Sequence, residues 1–263
     1  MNEALLTCDV TAGVARLVMN RPAKLNALSD AMLAALKTRL EALAQDQSVR
    51  VVVLAGAGKA FCAGHDLGEM QAGRAAADKG AAYFADLFAR CAEVMQLIPA
   101  LPQPVIAEVH GIATAAGCQL VASCDMAIAA EQTRFGVNGV NIGLFCSTPM
   151  VALTRNIPRK MAFEMLTTGQ FIDAARAEAL GLVNRVVPHE HLQTETMALA
   201  ATVAAKLSSA VRIGKQAFYQ QAEMGLAEAY AHTGAIMVEN MLWRDTDEGI
   251  SAFLEKRKPD WAE

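Results

Sequence analysis

Two stretches of the chain place small residues where backbone amides could do chemistry. Residues 110–125 read HGIATAAGCQLVASCD, small or backbone-like in the first half (Gly111, Ala113, Ala115, Ala116, Gly117). The second half is helical in pattern, with Leu120, Val121 and Cys124 on an apolar face. A strand-like run, PVIAEV at 104–109, leads into it, which makes a strand, a tight turn and a helix start. Free N–H groups at a helix N-terminus, together with the helix dipole, attract negative charge, and residues without bulk let a carbonyl oxygen come close. Residues 59–70, KAFCAGHDLGEM, repeat the design after the apolar run 51–55 and the turn Gly56-Ala57-Gly58. Two such turns can aim one N–H each at a single oxygen and stabilise charge developing there. Either turn alone is equally a sign of close helix–strand packing.

The side chains near these turns offer less. His65 has an imidazole that titrates near neutrality, although a histidine at a helix start more often packs or binds backbone. Asp66 suits the N-cap of a following helix, and Glu69, one turn on, is expected to face solvent. Nucleotide motifs fail at Gly56: a dinucleotide fingerprint needs glycine where Phe61 stands, and a P-loop needs glycine at Val53 and Ser or Thr at Ala60.

The elements that must position these turns alternate between strand and helix. Residues 14–19 and 49–54 read as strands, the second continuously apolar as if covered on both faces. Ser29 should cap a helix over 30–44, whose Met32, Leu33, Leu36, Leu40 and Leu43 keep a helical period. Residues 66–100 form a helical excursion that Pro99, Pro102 and Pro104 should break. Strands are expected at 125–130, 134–137 and 183–187, and helices at 147–156, 159–168 and, capped by Asp173 and ended by Gly181, through Leu180. From His189 onward the pattern is helical throughout. Such alternation predicts an α/β fold of right-handed βαβ units. Met237, Met241 and Trp243 suit core or subunit-interface packing better than a site.

Several ordered motifs, RPAKLNAL, AFCAGHDL, HGIATAAG and GLVNRVVP, together resemble the crotonase superfamily, also called enoyl-CoA hydratase/isomerase, from about Val14 to the C-terminus. The resemblance implies a crotonase (ClpP-like) spiral of βαβ units over 1–190 and a helical C-terminal trimerisation region over 191–263. It also implies an acyl-CoA thioester as partner, with no cofactor beyond the coenzyme A of the substrate, and a homotrimer or dimer of trimers. The amides matching the family's oxyanion hole are those of His65 and Ala116. Lys24, Leu25 and Ala27 fall in a loop that packs along CoA in the family, where Asn26 equally suits a local turn. Ala63, Asp66, Leu67 and Asn141 match substrate-lining positions, and Phe253 and Lys256 match an ending that reaches the CoA of the same or a neighbouring subunit.

Hydratases of this family also use two glutamates. Their positions match Gln119, one helical turn beyond Ala116, and Gly139. Glutamine cannot give or take the proton and glycine has no side chain, so ordinary hydration should be weak or absent. Cys146 lies past this second position without a nearby cation to activate it, which favours packing. In these departures the chain most resembles the enoyl-CoA hydratase domain-containing protein 3 type. Open alternatives are an isomerase or thioester hydrolase of the same superfamily and a non-catalytic acyl-CoA binder.

Composition sets outer bounds. The 263 residues carry a net charge of −4, against a nucleic-acid footprint. No run approaches ~20 apolar residues, so no membrane span is expected. The first ten residues lack signal or transit-peptide character, which points to the cytoplasm. Six cysteines without CxxC pairs suggest buried free thiols and no metal site.

Overall fold

The computed structural model describes residues 4–262. β1 (Leu6–Thr11) and β2 (Val14–Met19) form an antiparallel hairpin that turns on Ala12 and Gly13. Both turn residues have positive φ, as a two-residue hairpin loop requires. The next loop holds one 3-10 turn, Pro22–Lys24, and ends at Ser29. The Ser29 hydroxyl accepts from the Met32 amide and starts α1 (Asp30–Gln45), which buries the five apolar residues of its periodic face.

β3 (Val51–Gly56) explains its unbroken apolar run by what lies on each side. Val52 and Leu54 pack into the main core with the buried face of α1, while Val51 and Val53 point the other way, against Ala200 and Ala204. α2 (Leu67–Gly73) and α3 (Ala81–Ala100) make up the helical excursion. Pro99 does not break α3; it lies one residue from the end, so its missing N–H forfeits a single bond of the helical ladder, and the chain leaves the helix at Leu101.

β4 (Val105–Val109) then enters the central stretch. The structure adds an element here: β5 (Ile112–Thr114) stands between β4 and α4 (Ala116–Ser123), so strand and helix are not joined by one tight turn. β6 (Met126–Ala130) and β7 (Arg134–Gly136) follow, then a 3-10 turn, Asn138–Ile142. α5 (Pro149–Asn156), α6 (Arg159–Thr168), β8 (Ile172–Asp173), α7 (Ala174–Leu180) and β9 (Arg185–Val187) complete this part, with Asp173 capping α7 and Gly181 ending it.

The strands form two sheets. One has the order β1-β2-β3-β4-β6-β9 and is parallel except for the opening hairpin. The other, β5-β7-β8, is small and mixed. β4 and β5 lie almost end to end yet belong to different sheets, so the chain changes direction at His110 and Gly111.

Four helices close the chain: α8 (Leu192–Ala204), α9 (Ser208–Gln221), α10 (Leu226–Met241) and α11 (Arg244–Leu254). α8 covers the outer face of the large sheet. α9 is fastened by Lys215, whose Nζ donates to Ile98 O, Gln103 O and Asp125 Oδ2 at 2.8, 2.9 and 2.7 Å. α10 buries no residue and leaves Leu226, Tyr230, Met237 and Met241 exposed, as is Leu242 just beyond it. Met237 and Met241 are therefore not core residues of the chain. No single helix among the described residues is long and apolar enough to cross a membrane.

Candidate active site

The two small-residue turns meet. Phe61 N donates to His110 O at 3.0 Å and Cys62 N to Ile112 O at 3.1 Å, while Thr114 N returns a bond to Cys62 O at 3.1 Å. Residues 60–64 thus run as a ribbon along β5. The packing at the seam is backbone on backbone: a Cβ on Gly117 would strike Cys62 O, and one on Gly64 would lie 3.0 Å from Ala115 Cβ and 3.4 Å from Ala116 N. Gly64 also has φ +88°, a conformation open to glycine.

Ala115 takes up strain at this junction. Its φ of 51° and ψ of −120° are unfavourable for a residue with a Cβ, typically by about 1–3 kcal/mol. Two bonds hold it there, from its N–H to Gly136 O at 2.9 Å and from Gln119 N to its carbonyl at 3.0 Å. The Ala116 amide, first in α4, precedes the helical ladder, and among the described residues neither it nor the His65 amide donates to a backbone carbonyl.

The loop before α1 folds against the same place. Ala63 N donates to Leu25 O at 3.0 Å and Leu28 N to Gly64 O at 2.7 Å, which brings Lys24, Leu25 and Ala27 beside Ala63, with Lys24 and Leu25 exposed. Asn26 does more than bind its own loop. It is fully buried, accepts from Arg21 N at 2.9 Å and donates to Ala57 O and Ala60 O at 2.9 and 2.8 Å, joining the loop to the turn after β3.

Asp66 caps α2, accepting from Gly68 N and Glu69 N, and Leu67 beyond it is exposed. The solvent-facing expectation for Glu69 is corrected: its carboxylate accepts from Asp30 N at 2.8 Å and complements the N-terminus of α1. The His65 ring has Nδ1 3.4 Å from Leu28 O and meets the Phe88 ring edge-on. Burial pushes its pKa below the usual imidazole value. Gln119 is buried, with its Oε1 unpartnered.

Gly139 lies buried in the Asn138–Ile142 turn, which Thr114 Oγ1 ties to β5 by donating to Asn138 Oδ1 at 2.6 Å. A side chain at Gly139 would strike Leu144 O and come within 2.9 Å of Cys146 Sγ. The turn is closed down over the position. Cys146 is buried and its thiol is pushed up by burial, and Cys62 and Cys118 are raised to about 12, so these sulfurs pack as thiols. Five of the six cysteines are buried and free; Cys8 is free and half-exposed. Asn141 is exposed and donates to Gly169 O at 3.3 Å, packed on the end of α6. Phe253 and Lys256 are exposed on or just beyond α11, which packs on α10 rather than on the converged turns.

Comparison with known proteins agrees with this architecture. A family model described as enoyl-CoA hydratase/isomerase matches residues 9–263. The chain is 46% identical over 249 residues to the mitochondrial enoyl-CoA hydratase domain-containing protein 3 of Xenopus laevis, covering 95% of this chain and 83% of that protein. A crystal structure of an enoyl-CoA hydratase of Mycobacterium smegmatis superimposes with a TM-score of 0.95 at 55% identity, covering 99% of this chain and 100% of that one. That of human enoyl-CoA hydratase domain-containing protein 3 does so at 0.93 and 44%, covering 98% and 100%. The Xenopus, mouse and human relatives are named mitochondrial, which overturns the cytoplasmic expectation; the composition of ten N-terminal residues, three of them outside the described part, does not decide the address. By its family model, its relatives and its fold, the chain belongs to the enoyl-CoA hydratase/isomerase (crotonase) family and, within it, to the enoyl-CoA hydratase domain-containing protein 3 type.

Proposed function

We propose that this protein binds an acyl-CoA thioester and holds its carbonyl oxygen between the amides of His65 and Ala116, stabilising enolate character in the acyl group. The observation that supports the reading is the meeting of Gly64, which precedes His65, with Ala115 and Ala116, together with the lack of a backbone acceptor for the His65 and Ala116 amides among the described residues. Preorganised donors of this kind contribute about 10²- to 10³-fold each. In this reading the loop with Lys24, Leu25 and Ala27, together with Ala63, Asp66 and Leu67, takes the CoA moiety, which the bonds from Ala63 N to Leu25 O and from Leu28 N to Gly64 O support.

Hydration of an enoyl ester needs a base for water and an acid for the α-carbon, each worth about 10²- to 10⁴-fold. Gln119 supplies a carboxamide and Gly139 nothing, so hydration is weak. Gln119 can hold water or the acyl group by hydrogen bonds without moving a proton. Closure of the turn over Gly139 favours a second reading, in which acyl-CoA is bound without turnover. Isomerisation or thioester hydrolysis stays open where the substrate or another side chain supplies the proton transfer.

The apolar residues left exposed on α10 and α11 support assembly as a trimer or dimer of trimers, in which Phe253 and Lys256 would meet the CoA of a neighbouring subunit. Sedimentation velocity tests this directly, and a monomer at micromolar concentration removes it. The functional test is a panel of enoyl- and acyl-CoA esters, with binding and products followed by mass spectrometry. Binding with little or no hydration of crotonyl-CoA is expected. Hydration at ordinary enzyme rates would overturn the altered-site reading, and no binding of any ester would overturn the whole.

A further inference from the structure

The turn that leads from β3 into the ribbon 60–64 is held by its carbonyl oxygens. Those of Ala57, Gly58 and Ala60 are all taken by side chains from distant parts of the chain. Asn26 Nδ2 donates to Ala57 O and Ala60 O at 2.9 and 2.8 Å, and His110 Nε2 faces Gly58 O at 2.8 Å. A carbonyl oxygen only accepts, so Nε2 carries the proton and donates it. Asn26 ties the turn to the loop before α1, whereas His110 ties it to the bend between β4 and β5.

His110 grips this segment twice. Its own carbonyl accepts from Phe61 N at 3.0 Å, and Gly111 beside it packs so closely on the turn that a Cβ there would strike Lys59 O. Gly58 has no room to slide away on its other side, where a Cβ would come within 2.6 Å of Pro22 Cβ. The ring is itself held in place on the outer face of the large sheet. Val105, Ala107 and Val109 point into the main core and Ile106 the other way, so Glu108 and His110 follow Ile106. There Glu108 is bound by Arg16 Nη2 at 2.6 Å, and the His189 ring meets the His110 ring with centroids 5.9 Å apart. From Phe61 the ribbon runs on to His65, and from His110 the chain runs through β5 to Ala116. Both paths to the paired amides therefore start at this one residue.

We propose that His110 is a positioning residue of the acyl-CoA site: its Nε2–H bond to Gly58 O sets the turn 57–61 so that the His65 amide points at the same thioester oxygen as the Ala116 amide. The imidazole acts from the outer face, through the turn and not by touching the ligand. Because Asn26 independently holds the loop assigned to the CoA moiety, losing the His110 bond loosens the grip on the carbonyl and spares the grip on CoA. This rests on the acyl-CoA reading above.

The test is infrared difference spectroscopy of the intact protein with butyryl-CoA carrying ¹³C at the thioester carbonyl, together with calorimetric titration of that ester and of free coenzyme A. On binding to the wild-type protein the carbonyl stretch should fall, since two donors polarise the bond. His110→Phe keeps a ring against His189 and has no donor. It should lose about half of that fall or more and bind butyryl-CoA about tenfold more weakly, the worth of one well-made hydrogen bond, with coenzyme A held within about twofold of wild type. His110→Gln, whose amide N–H has a similar reach, should recover most of the carbonyl shift, which a residue needed only for packing would not do. In the wild-type protein the Nε2 proton resonance should move when butyryl-CoA binds and stay when coenzyme A binds, a readout that needs no variant. A full carbonyl shift in His110→Phe, equal weakening of ester and coenzyme A, no recovery in His110→Gln, or an Nε2 proton unmoved by the ester would overturn this inference alone. Wild-type protein that leaves the carbonyl stretch unchanged, or binds no ester, removes the acyl-CoA reading and this inference with it.

Discussion

The amide nitrogen of Ala116 lies 3.4 Å from the point where a Cβ on Gly64 would stand, so the two turns touch with no room for a side chain between them. Gly117 is tighter still, packed directly on the Cys62 carbonyl. Gly117→Ala should force α4 away from residues 60–64 and separate the amides of Ala116 and His65. Acyl-CoA binding should weaken by at least about tenfold and any turnover by about 10²-fold or more, the loss typical of a missing oxyanion donor. Titration with the wild-type ligand checks this, and unchanged affinity would mean that the seam does not hold the thioester.

Gln119 and Gly139 differ in what would be needed to restore a carboxylate. Gln119→Glu is nearly isosteric and should give a modest gain in crotonyl-CoA hydration, since one acid/base group of the pair would be present. Gly139→Glu must displace Leu144 and Cys146, an overpacking cost of about 1–3 kcal/mol or more. The double variant should therefore melt lower than Gln119→Glu and hydrate no faster. A double variant with ordinary hydratase rates would show that the 138–146 turn yields easily.

The two turns, the α1 cap at Ser29 and the α2 cap at Asp66 were legible because each is written in a few adjacent residues. The two-sided burial of β3 was legible for the same reason, from one apolar run. What the sequence concealed depends on distant partners. Glu69 caps α1 from well down the chain, and Asn26 bonds the turn after β3. Gly139 reads as a missing glutamate by alignment, while its crowding by Leu144 and Cys146 follows only from the fold. The strain at Ala115 has no local signal either, since a positive φ at a residue with a Cβ is imposed by the packing around it and not by its own type. Strand β5 carries no signal of its own, because three residues are too few to show a period.

Stability should depend on pH through His65 and His110, both held below the usual imidazole value chiefly by burial. Between the folded value and about 6.5, the unfolded chain binds more protons, so stability rises with pH across that window and is lost as pH falls through it. Urea unfolding should give a plateau above about pH 7.5 and a decline from pH 7 to pH 5.5, where the carboxylates are ionised in both states. His110→Gln, which keeps a donor for the Gly58 carbonyl that His110 Nε2 faces at 2.8 Å, should flatten part of the decline. A profile that rises toward pH 5.5 would contradict the neutral state assigned to both rings.

Lys215 and Asp125 test how far the helical tail is part of the core. Asp125 accepts from Lys215 Nζ at 2.7 Å, from Tyr219 Oη at 2.7 Å and from Val105 N at 2.6 Å, so one carboxylate joins α9 to the start of β4. Lys215 donates twice more, to backbone at the end of α3 and just before β4. Burial lowers the pKa of Lys215 while Asp125 opposes that shift, and burial pushes the Tyr219 phenol up, leaving it a donor. Lys215→Met removes the cation and leaves the carboxylate and two carbonyls short of a partner in a mostly buried place. The expected loss is about 3–5 kcal/mol in urea unfolding, the usual range for breaking one side of a buried pair. Because the cluster lies away from His65 and Ala116, acyl-CoA affinity measured below the unfolding transition should change far less than stability. A loss under about 1 kcal/mol would place α9 outside the cooperative unit, and an equal loss of affinity and stability would mean that this fastening also shapes the site.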